Sequence, residues 1–321
     1  MKTRISERER DLLGRIGLHA DKSLPEIARI TKHHLHTIRY ALSRLMEREI
    51  LHQAWVIDVF QLGWLRIQIL FSVGDTNRDK VVKFFMGKDR VVHITEIGGE
   101  YDFDIVLLAR NTSEVLDLMQ EASRACGDIF VTKAVLVQSS IAYFPRKYLC
   151  KDKPVYGALV LGGAKKPYVL DEKEQRILES LMIDPGIEKK VLAERVALSI
   201  PTINDRITRL KRAGVLVGAM FSSRYIELGV QNYKILISTC ASDRKFRDAL
   251  YKFAYDHPHC TSFRESLGEW DYEVNAEVEG HRELSLLKDE LWHHFGKKMG
   301  EVHVVPRFKL HKFVSYPVIL P

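Results

Sequence analysis

The sequence has few cysteines and no long apolar run. Its four cysteines lie far apart: Cys126, Cys150, Cys240 and Cys260. This spacing suits a reducing compartment and argues against a disulfide framework or a thiolate metal site. No run of eighteen apolar residues occurs, so a membrane-spanning helix is not expected. The opening residues are charged and lack the apolar core of a signal peptide, and we therefore expect a cytoplasmic protein.

The patterns that mark many enzymes are also missing. No Ser-His-Asp arrangement, phosphate-binding loop or carboxylate pair with reactive spacing can be argued from the sequence. His33, His34 and His36 lie close together, but their spacing does not place metal ligands on one helical face. Histidines exposed to solvent or facing DNA are the commoner case. We therefore predict a protein that is not an enzyme and that holds no metal and no cofactor.

The positive charge is concentrated in one segment. The 321 residues, 46% of them hydrophobic, suffice for two to four globular domains, and the net charge is +7. Seven lysines and arginines oppose three acidic residues between Glu188 and Leu216, whereas five oppose three between Leu24 and Leu51. A basic surface of this kind is typical of phosphate binding, so we expect the later segment to bind DNA more strongly.

The segment 192–216 has the apolar spacing of two short helices joined by a turn. Within each predicted helix the apolar residues recur three or four positions apart: Leu192 and Val196 in the first, and Ile203, Ile207 and Leu210 in the second. Ser199 can cap the second helix, and Gly214 can end it. A short helix followed by an amphipathic helix with a polar, basic outer face is the helix-turn-helix pattern, whose second helix can lie in the major groove of DNA.

The outward positions of that second helix are the predicted DNA-binding residues. They are Thr202, Asn204, Asp205, Arg206, Thr208, Arg209 and Arg212. Arginine and asparagine can make paired hydrogen bonds to guanine and adenine edges. An ordinary helical hairpin with solvated charges is the alternative on this stretch alone.

The same pattern occurs earlier in the chain. Placing Thr37 on Thr202 sets an offset of 165 residues, at which the apolar positions of the two segments coincide without a gap. Two tandem copies of one module are therefore predicted. The DNA-facing residues of the first copy are Thr37, Arg39, Tyr40 and Arg44. The first copy has His34 where the second has the capping Ser199, and whether it still binds DNA is left open.

After each helical unit the apolar period changes to two. Ile67, Ile69 and Phe71 share one face, which indicates a strand, and the elements that follow give the order βαββαβ of a ferredoxin-like unit. We predict an α+β fold with two winged helix-turn-helix domains (1–58 and 169–223) and two ferredoxin-like effector domains (59–145 and 224–321). Residues 51–60 suit a wing hairpin, and the linker 146–168 could add a strand to a neighbouring sheet.

The chain resembles the Lrp/AsnC family of transcriptional regulators, in which a winged helix-turn-helix precedes a ferredoxin-like effector domain. LDEKEQRIL (Leu170–Leu178) resembles the opening helix of that family, and 192–216 resembles its DNA-binding unit. GEYD (Gly99–Asp102) and GEWD (Gly268–Asp271) resemble its turn of glycine, acidic residue, aromatic residue and aspartate. The resemblance covers nearly all of the chain apart from the linker.

The resemblance implies that the effector domains pair and that a small molecule, often an amino acid, binds near that turn. The predicted effector-binding residues are Gly99, Glu100, Tyr101, Asp102, Gly268, Glu269, Trp270 and Asp271. A plain hairpin turn that needs glycine for a positive φ is the alternative. Most of the family has one copy per chain, so the fusion implies an intramolecular pseudo-dimer that further assembles into homo-oligomers. The predicted function is a sequence-specific DNA-binding transcriptional regulator controlled by a small molecule.

An alternative function, that of an enzyme, comes from another class of protein. Siroheme decarboxylases, enzymes of haem synthesis, resemble this tandem architecture. Arg264 and Glu265, together with several histidines (His93, His257, His259, His293, His294 and His303), keep that alternative open. DNA retention at low salt would favour the regulator, and haem-like absorbance would favour the enzyme. A protein that only senses an effector or oligomerises gains weight if Arg206 and Arg209 are buried.

Overall fold

The computed structural model describes residues 5–152, 157–163, 166–223, 225–240 and 243–317. Its first half (5–152) begins with three helices and a strand: α1 (Glu7–Ile16), α2 (Leu24–Thr31), α3 (Leu35–Glu47) and β1 (Leu51–Ile57). The elements that follow are β2 (Leu65–Val73), α4 (Arg78–Met86), β3 (Val91–Ile97), β4 (Phe103–Ala109), α5 (Thr112–Cys126) and β5 (Ile129–Tyr143).

The second half (166–317) repeats this order of elements. A short strand between the halves, β6 (Leu159–Gly162), comes first. It is followed by α6 (Glu172–Ile183), α7 (Lys189–Val196), α8 (Ile200–Arg212), β7 (Leu216–Ser223) and β8 (Gln231–Thr239). The remaining elements are α9 (Arg244–Asp256), β9 (Cys260–Leu267), β10 (Tyr272–Val278), α10 (His281–Phe295) and β11 (Met299–Phe313). The predicted α+β fold, with winged helix-turn-helix and ferredoxin-like units, is confirmed.

Capping residues explain where several of the helices begin. Ser6, Ser23 and Asp171 each accept a hydrogen bond from the third residue of the following helix, whose glutamate side chain bonds back to the cap. These reciprocal bonds satisfy amides that have no partner within the helix. The first helix of each half, α1 and α6, therefore begins at the same position relative to the repeated pattern.

Eight strands close into an antiparallel barrel. Their order is β2-β4-β3-β11-β8-β10-β9-β5, and β5 also pairs with β2, which joins the two ends of the series. Strand β5 bridges its own half to β9, and β11 bridges its own half to β3. The last strand of each unit therefore pairs with both units, and the barrel has no free edge at these strands.

The pairings between the halves follow a two-fold relation. Aligned on GEYD and GEWD, equivalent residues of the two halves differ by 169. Ile141 pairs with Arg264, and the equivalent Leu310 pairs with Thr95. Equivalent strands that pair in equivalent registers are what a two-fold axis along the barrel produces.

Apolar side chains on the outer surface of the barrel pack against helices. One core lies beneath α4 and α5 and includes Phe71, Phe85 and Ile105; another lies beneath α9 and α10 and includes Phe263 and Leu291. Burial of such cores stabilises the fold by about 25 cal/mol for each Å² of apolar surface removed from water. The outer face of each sheet is thus a conventional hydrophobic layer.

Strands β1 and β7 pair with each other in an antiparallel two-stranded sheet. The expected wing hairpin at 51–60 is therefore wrong, because β1 takes its partner from the other half. Ala54 pairs with Met220 and Trp55 with Ala219, which are equivalent pairs at the offset of 165. The two helix-turn-helix units are joined back to back through this sheet.

The linker strand β6 pairs antiparallel with β5, which agrees with the expectation that the linker could add a strand. Gly162 of β6 donates its backbone N–H to Asp58 Oδ2 at 2.9 Å, which ties the linker to the end of β1. Every helix in the described ranges is too short or too polar to cross a membrane.

Candidate nucleic-acid interface and buried cavity

Helix α8 has the local features that the sequence predicts for a recognition helix. The Ser199 hydroxyl accepts a hydrogen bond from Thr202 N at 3.3 Å, and a proline occupies the first turn. Ile203 and Leu210 are fully buried in a core shared with α6 and α7. The predicted DNA-binding residues lie on the opposite face. Asp205, Thr208, Arg209 and Arg212 are exposed, and Thr202, Asn204 and Arg206 are partly exposed.

Two of those arginines already have partners within the domain. Arg209 Nη2 lies 2.6 Å from Glu174 Oε1, and the Glu174 side chain is 1% exposed. Arg206 Nη1 lies 2.5 Å from Asp171 Oδ2, and the hydrogen bond from Arg206 lowers the pKa of Asp171 to about 2. Both arginines thereby hold α8 against the start of α6. Neither is buried, since the Arg206 and Arg209 side chains are 22% and 54% exposed.

The first half contains the same connection. Arg44 Nη2 lies 2.5 Å from Glu9 Oε1, and these residues are equivalent to Arg209 and Glu174 at the offset of 165. Burial alone would raise the pKa of Glu9, but the hydrogen bonds from Ser6 and Arg44 outweigh burial and lower it. We name this arginine–glutamate contact the helix clamp. Its presence in both halves indicates that Arg44 and Arg209 contribute to the packing of the domain, whatever they contribute to DNA binding.

The first recognition helix, α3, differs at its start. His34 occupies the cap position and makes no side-chain capping bond. Thr37, Arg39 and Tyr40 are all exposed, as predicted for DNA-facing residues. The position equivalent to Arg206 is the buried Ala41, so α3 lacks the second of the arginines that tie α8 to α6.

The GEYD and GEWD turns come together at one end of the barrel. Tyr101 Oη donates to Glu269 Oε1 at 3.4 Å, and Tyr101 and Trp270 are both 1% exposed in a core inside the barrel. Burial raises the pKa of Tyr101 to about 12. His303 lies 3.5 Å from Glu100, and its ring is tilted against that of Trp270 at a centroid distance of 4.6 Å. The aromatic rings of the two turns therefore close this end of the barrel.

The aspartates of the two turns bond to the ends of neighbouring strands. Asp102 accepts from Val73 N at 2.9 Å and pairs with Arg78, and Asp271 accepts from Thr239 N at 2.7 Å. The turn glycines have positive φ, +88° at Gly99 and +144° at Gly268. These contacts give the turns a structural role, which is the alternative that the sequence left open. Their role in effector binding stays a prediction.

Charged residues fill the middle of the barrel, where the sequence suggested no site. Lys234 Nζ lies 2.6 Å from Glu273 Oε1 and 2.9 Å from Asp104 Oδ2, so one ammonium group bridges carboxylates from both halves. The Gln68 amide donates to the same two carboxylates. Burial alone would raise the pKa of Asp104, but Lys234 and His93 hold it well below its usual value.

Three arginines extend this network towards β1 and β7. Arg264 Nη1 lies 2.6 Å from Glu273 Oε1, and Arg146 Nε lies 2.7 Å from Glu277 Oε2. Arg307 Nη1 donates to Asn232 Oδ1 at 3.2 Å. A buried network of this size is costly unless its members are paired, so its residues need a structural or functional explanation.

A cavity of about 130 Å³ opens beside this network, between the barrel and strand β7. We name it the wing cavity. Its polar lining includes His93, Ser262, Arg264, Asn275, Glu277 and Arg307, and its β7 lining is Met220, Phe221 and Ser222. Burial lowers the pKa of His93 to about 4, so this imidazole is neutral at pH 7.

The sequence held a signal for this network that the prediction did not use. Polar residues alternate with apolar ones in strands whose helix-facing side is strongly apolar, as in YEVNAEV (Tyr272–Val278). That alternation is normally taken as a solvent-facing surface. Here the polar face lies inside a closed barrel, and only the pairing of the two halves reveals it.

The six histidines behind the enzyme alternative lie in three places, and four of them, His257, His259, His293 and His294, lie near Phe253. His93 lies in the barrel and His303 beside the GEWD turn, whereas His257 and His259 lie next to each other just after α9, with ring centroids 5.8 Å apart. Glu265 pairs with Arg247 on α9, away from the contact of Arg264 with Glu273. Within the described ranges, no three His, Cys, Asp or Glu side chains are placed to share a metal ion.

Comparison with known proteins identifies the second helical unit. Residues 170–217 match a family model described as winged helix-turn-helix DNA-binding. An uncharacterized HTH-type transcriptional regulator of Pyrococcus furiosus is 26% identical over 116 residues, covering 36% of this chain and 77% of the relative. Another from Pyrococcus abyssi is 24% identical over 137 residues, covering 43% of this chain and 92% of the relative.

A solved structure shares the overall fold along the whole chain. The siroheme decarboxylase NirDL matches with a TM-score of 0.61 at 17% identity, covering 98% of this chain and 94% of that structure. At this identity the likeness concerns the fold. The chain therefore carries a winged helix-turn-helix DNA-binding domain similar to those of transcriptional regulators, on a two-part architecture that also occurs in an enzyme.

Proposed function

We propose that the protein is a DNA-binding transcriptional regulator of the Lrp/AsnC type, with two fused copies of the module and control by a small molecule. The observation that carries the proposal is helix α8. It is capped by Ser199, buries Ile203 and Leu210, and presents its polar face to solvent within the segment that matches the DNA-binding family. Such a helix can enter the major groove while the first helix of the pair lies along the backbone. The proposal places the protein with DNA in the cytoplasm.

The joining of the two helical units supports binding to two half-sites. The β1–β7 sheet relates α3 and α8 by the two-fold register described above. Two unlike recognition helices on such an axis suit an asymmetric operator with half-sites about one helical turn apart. The pairing of the two halves places two recognition helices in one chain, which single-copy relatives would obtain by dimerisation. Further self-association of whole chains is also part of the proposal.

The test adds negative charge to the outward face of α8. Asn204→Glu with Thr208→Glu places two carboxylates where the DNA backbone would lie, and we expect affinity for fragments selected from the source genome to fall at least about tenfold. These positions are preferable to Arg206 and Arg209, whose loss would also break contacts with α6. Fluorescence polarisation at several salt concentrations measures affinity and the salt dependence expected of phosphate contacts.

A matched control adds the same charge elsewhere. Ser113→Glu with Gln120→Glu changes two exposed positions of α5, on the outside of the barrel, and should leave DNA affinity within about twofold. The equivalent pair on α3, Arg39→Glu with Ser43→Glu, reports whether the first unit also contacts the duplex. Unchanged affinity in the α8 variant would remove this helix from the interface.

A siroheme decarboxylase-like enzyme is the second candidate, and the full-length likeness to NirDL favours it. The buried Arg264 and His93 would suit a substrate with carboxylate groups. The wing cavity weighs against it, because about 130 Å³ is far below the roughly 300–1,000 Å³ of pockets that hold drug-sized ligands, and a tetrapyrrole is larger still. Titration with an iron tetrapyrrole that carries carboxylates, followed by absorbance, tests this candidate; saturable spectral change at micromolar protein would support it.

A further inference from the structure

We propose that the two recognition helices select different bases at equivalent positions of their half-sites. Arg39 of α3 binds a guanine, and Asn204 of α8 binds an adenine. This assignment rests on the proposed function, and it names the two residues that make the operator asymmetric. It also gives base selection to the first helical unit, although the second unit carries more positive charge.

Arg39 and Asn204 occupy the same place in two matching helices. They are equivalent at the offset of 165, and each is the fifth residue of a 13-residue helix. Arg39 is exposed, and Asn204 is partly exposed. The N-terminal residues of a recognition helix contact base edges, so both side chains lie where they can meet the bases of the major groove.

Arg39 differs from three other arginines of α3 and α8 in having a free side chain. Arg44 and Arg209 are held by the glutamates of the helix clamp, and Arg206 is held by Asp171. Among the described residues, the Arg39 side chain has no ion pair and no hydrogen bond. A guanidinium that binds a carboxylate must give up that contact before it can bind a base. Arg39 can bind a base without any such loss.

The two side chains differ in the base that they can bind. An arginine donates two parallel hydrogen bonds to O6 and N7 of guanine. An asparagine amide donates to N7 of adenine and accepts from its N6 amino group. The Asn204 amide makes no hydrogen bond within the described ranges, so it is available for this contact. Each paired contact favours its own base by about fivefold or more.

Other outward positions are alike in both helices and contribute equally to the two half-sites. Thr37 is equivalent to Thr202, and Ser43 is equivalent to Thr208, which carries the same hydroxyl group. Hydroxyl groups bind phosphates and several bases without strong preference. The difference between arginine and asparagine is therefore the larger source of asymmetry.

Contacts between the two helical units fix the distance between the two bases. Strands β1 and β7 join the units in a two-fold register. Lys211 Nζ, in the last turn of α8, lies 2.8 Å from Asp21 Oδ2 of the first unit, and Trp55 Nε1 donates to Pro185 O at 3.0 Å. We therefore expect the guanine and the adenine at equivalent positions of half-sites about one helical turn apart.

Selection from random duplexes with the full chain identifies the operator, and three DNA fragments made from it test the assignment. The fragments are otherwise symmetric and carry guanine in one half-site and adenine in the other (G/A), adenine in both (A/A) or guanine in both (G/G). The parent should prefer G/A by at least about fivefold in fluorescence polarisation. Arg39→Asn should shift the preference to A/A, and Asn204→Arg should shift it to G/G.

The double variant, with Arg39→Asn and Asn204→Arg, should prefer G/A again. Exchange of the two residues is equivalent to turning an otherwise symmetric fragment about its two-fold axis. Tyr40 and Asp205 also differ between the units, and they stay unchanged in every variant. Arg124→Asn removes the same charge from an exposed position of α5 and should keep the parental preference.

The ratios of affinity among the three fragments decide between base selection and simple charge attraction. If Arg39 contributed only its charge, Arg39→Asn would weaken binding to all three fragments equally. That result, or selected half-sites with the same base at both positions, would overturn the assignment and leave DNA binding in place. Failure to enrich any sequence would instead refute the regulator, and the assignment with it. Circular dichroism checks that each variant is folded.

Discussion

The two halves of the barrel present opposite chemistry to the helical units. In the first half, Val92, Val106 and Leu108 are fully or nearly buried in one core with α6, α7 and α8. In the second half, the positions equivalent to Val106 and Leu108 are Asn275 and Glu277, which face a cavity. These two positions therefore pack against a helical unit in the first half and place polar groups beside a cavity in the second half. The comparison shows how a repeated scaffold can place apolar packing in one half and buried polar groups in the other.

Exchanging these residues should have the largest effect. Leu108→Glu would bury a carboxylate in the apolar core and should lower the free energy of unfolding by more than about 4 kcal/mol. Glu277→Leu would leave Arg146 buried without its carboxylate and should cost about 3 kcal/mol. Urea denaturation measures both. If Leu108→Glu cost less than Glu277→Leu, the apolar half would not be the better-packed one.

A pH dependence should follow from His93, which has Ser262 at the equivalent position. Its folded pKa of about 4 lies below the usual value near 6.5, so below pH 6.5 the unfolded chain binds a proton that the folded chain does not. Stability should therefore fall as pH falls from about 6.5 to 4, by up to about 3 kcal/mol from this residue. His257, whose pKa burial also lowers to about 4, adds an effect of the same sign.

Thermal or urea unfolding between pH 4 and 8 checks this expectation. His93→Gln should flatten part of the decline between pH 6.5 and 4, because the glutamine cannot take up a proton in either state. An equally steep decline in that variant would show that other groups, such as His257, cause it.

The helix clamp allows a smaller and sharper comparison. Glu174→Gln and Glu9→Gln each remove the charged partner of a half-exposed arginine, and each should cost about 1–2 kcal/mol. If Arg209 only clamps α8, DNA affinity should fall together with stability in Glu174→Gln. If Arg209 also contacts DNA, loss of its ion pair with Glu174 should leave its side chain available to the duplex. DNA affinity should then be unchanged or higher, although the domain is less stable. Fluorescence polarisation and urea titration on the same samples separate these outcomes.

Local patterns in the sequence predicted the elements but not the contacts between them. The apolar spacing of 192–216 and the capping Ser199 specify α7 and α8, since both signals act within a few residues. Arg209 and Glu174 lie on separate helices, and no periodicity indicates that they meet. The outward face of α8 was therefore predicted, whereas the pairing of two of its arginines with α6 was not.

The barrel interior shows the same limit. Alternation in β10 correctly indicates a strand with one polar and one apolar face, but it does not say whether the polar face meets water or another sheet. Lys234 contacts Glu273 within its own half and Asp104 of the first half. The second contact forms only because the two halves close one barrel, and the sequence of β8 or β10 does not indicate it. A wing cavity that needs both halves cannot be predicted from either one.

Strands β5 and β11 each pair with a strand of their own half and with a strand of the opposite half. A gene cut at the linker would consequently yield two polypeptides, each with a four-stranded sheet whose two edge strands lack the partners that the other half supplies. Such fragments should be insoluble or unfolded when made separately, yet should reconstitute as an obligate heterodimer when made together. The same reasoning favours synthesis of both halves as one chain. The barrel cannot close until β11, the last strand, has been made and pairs with β3.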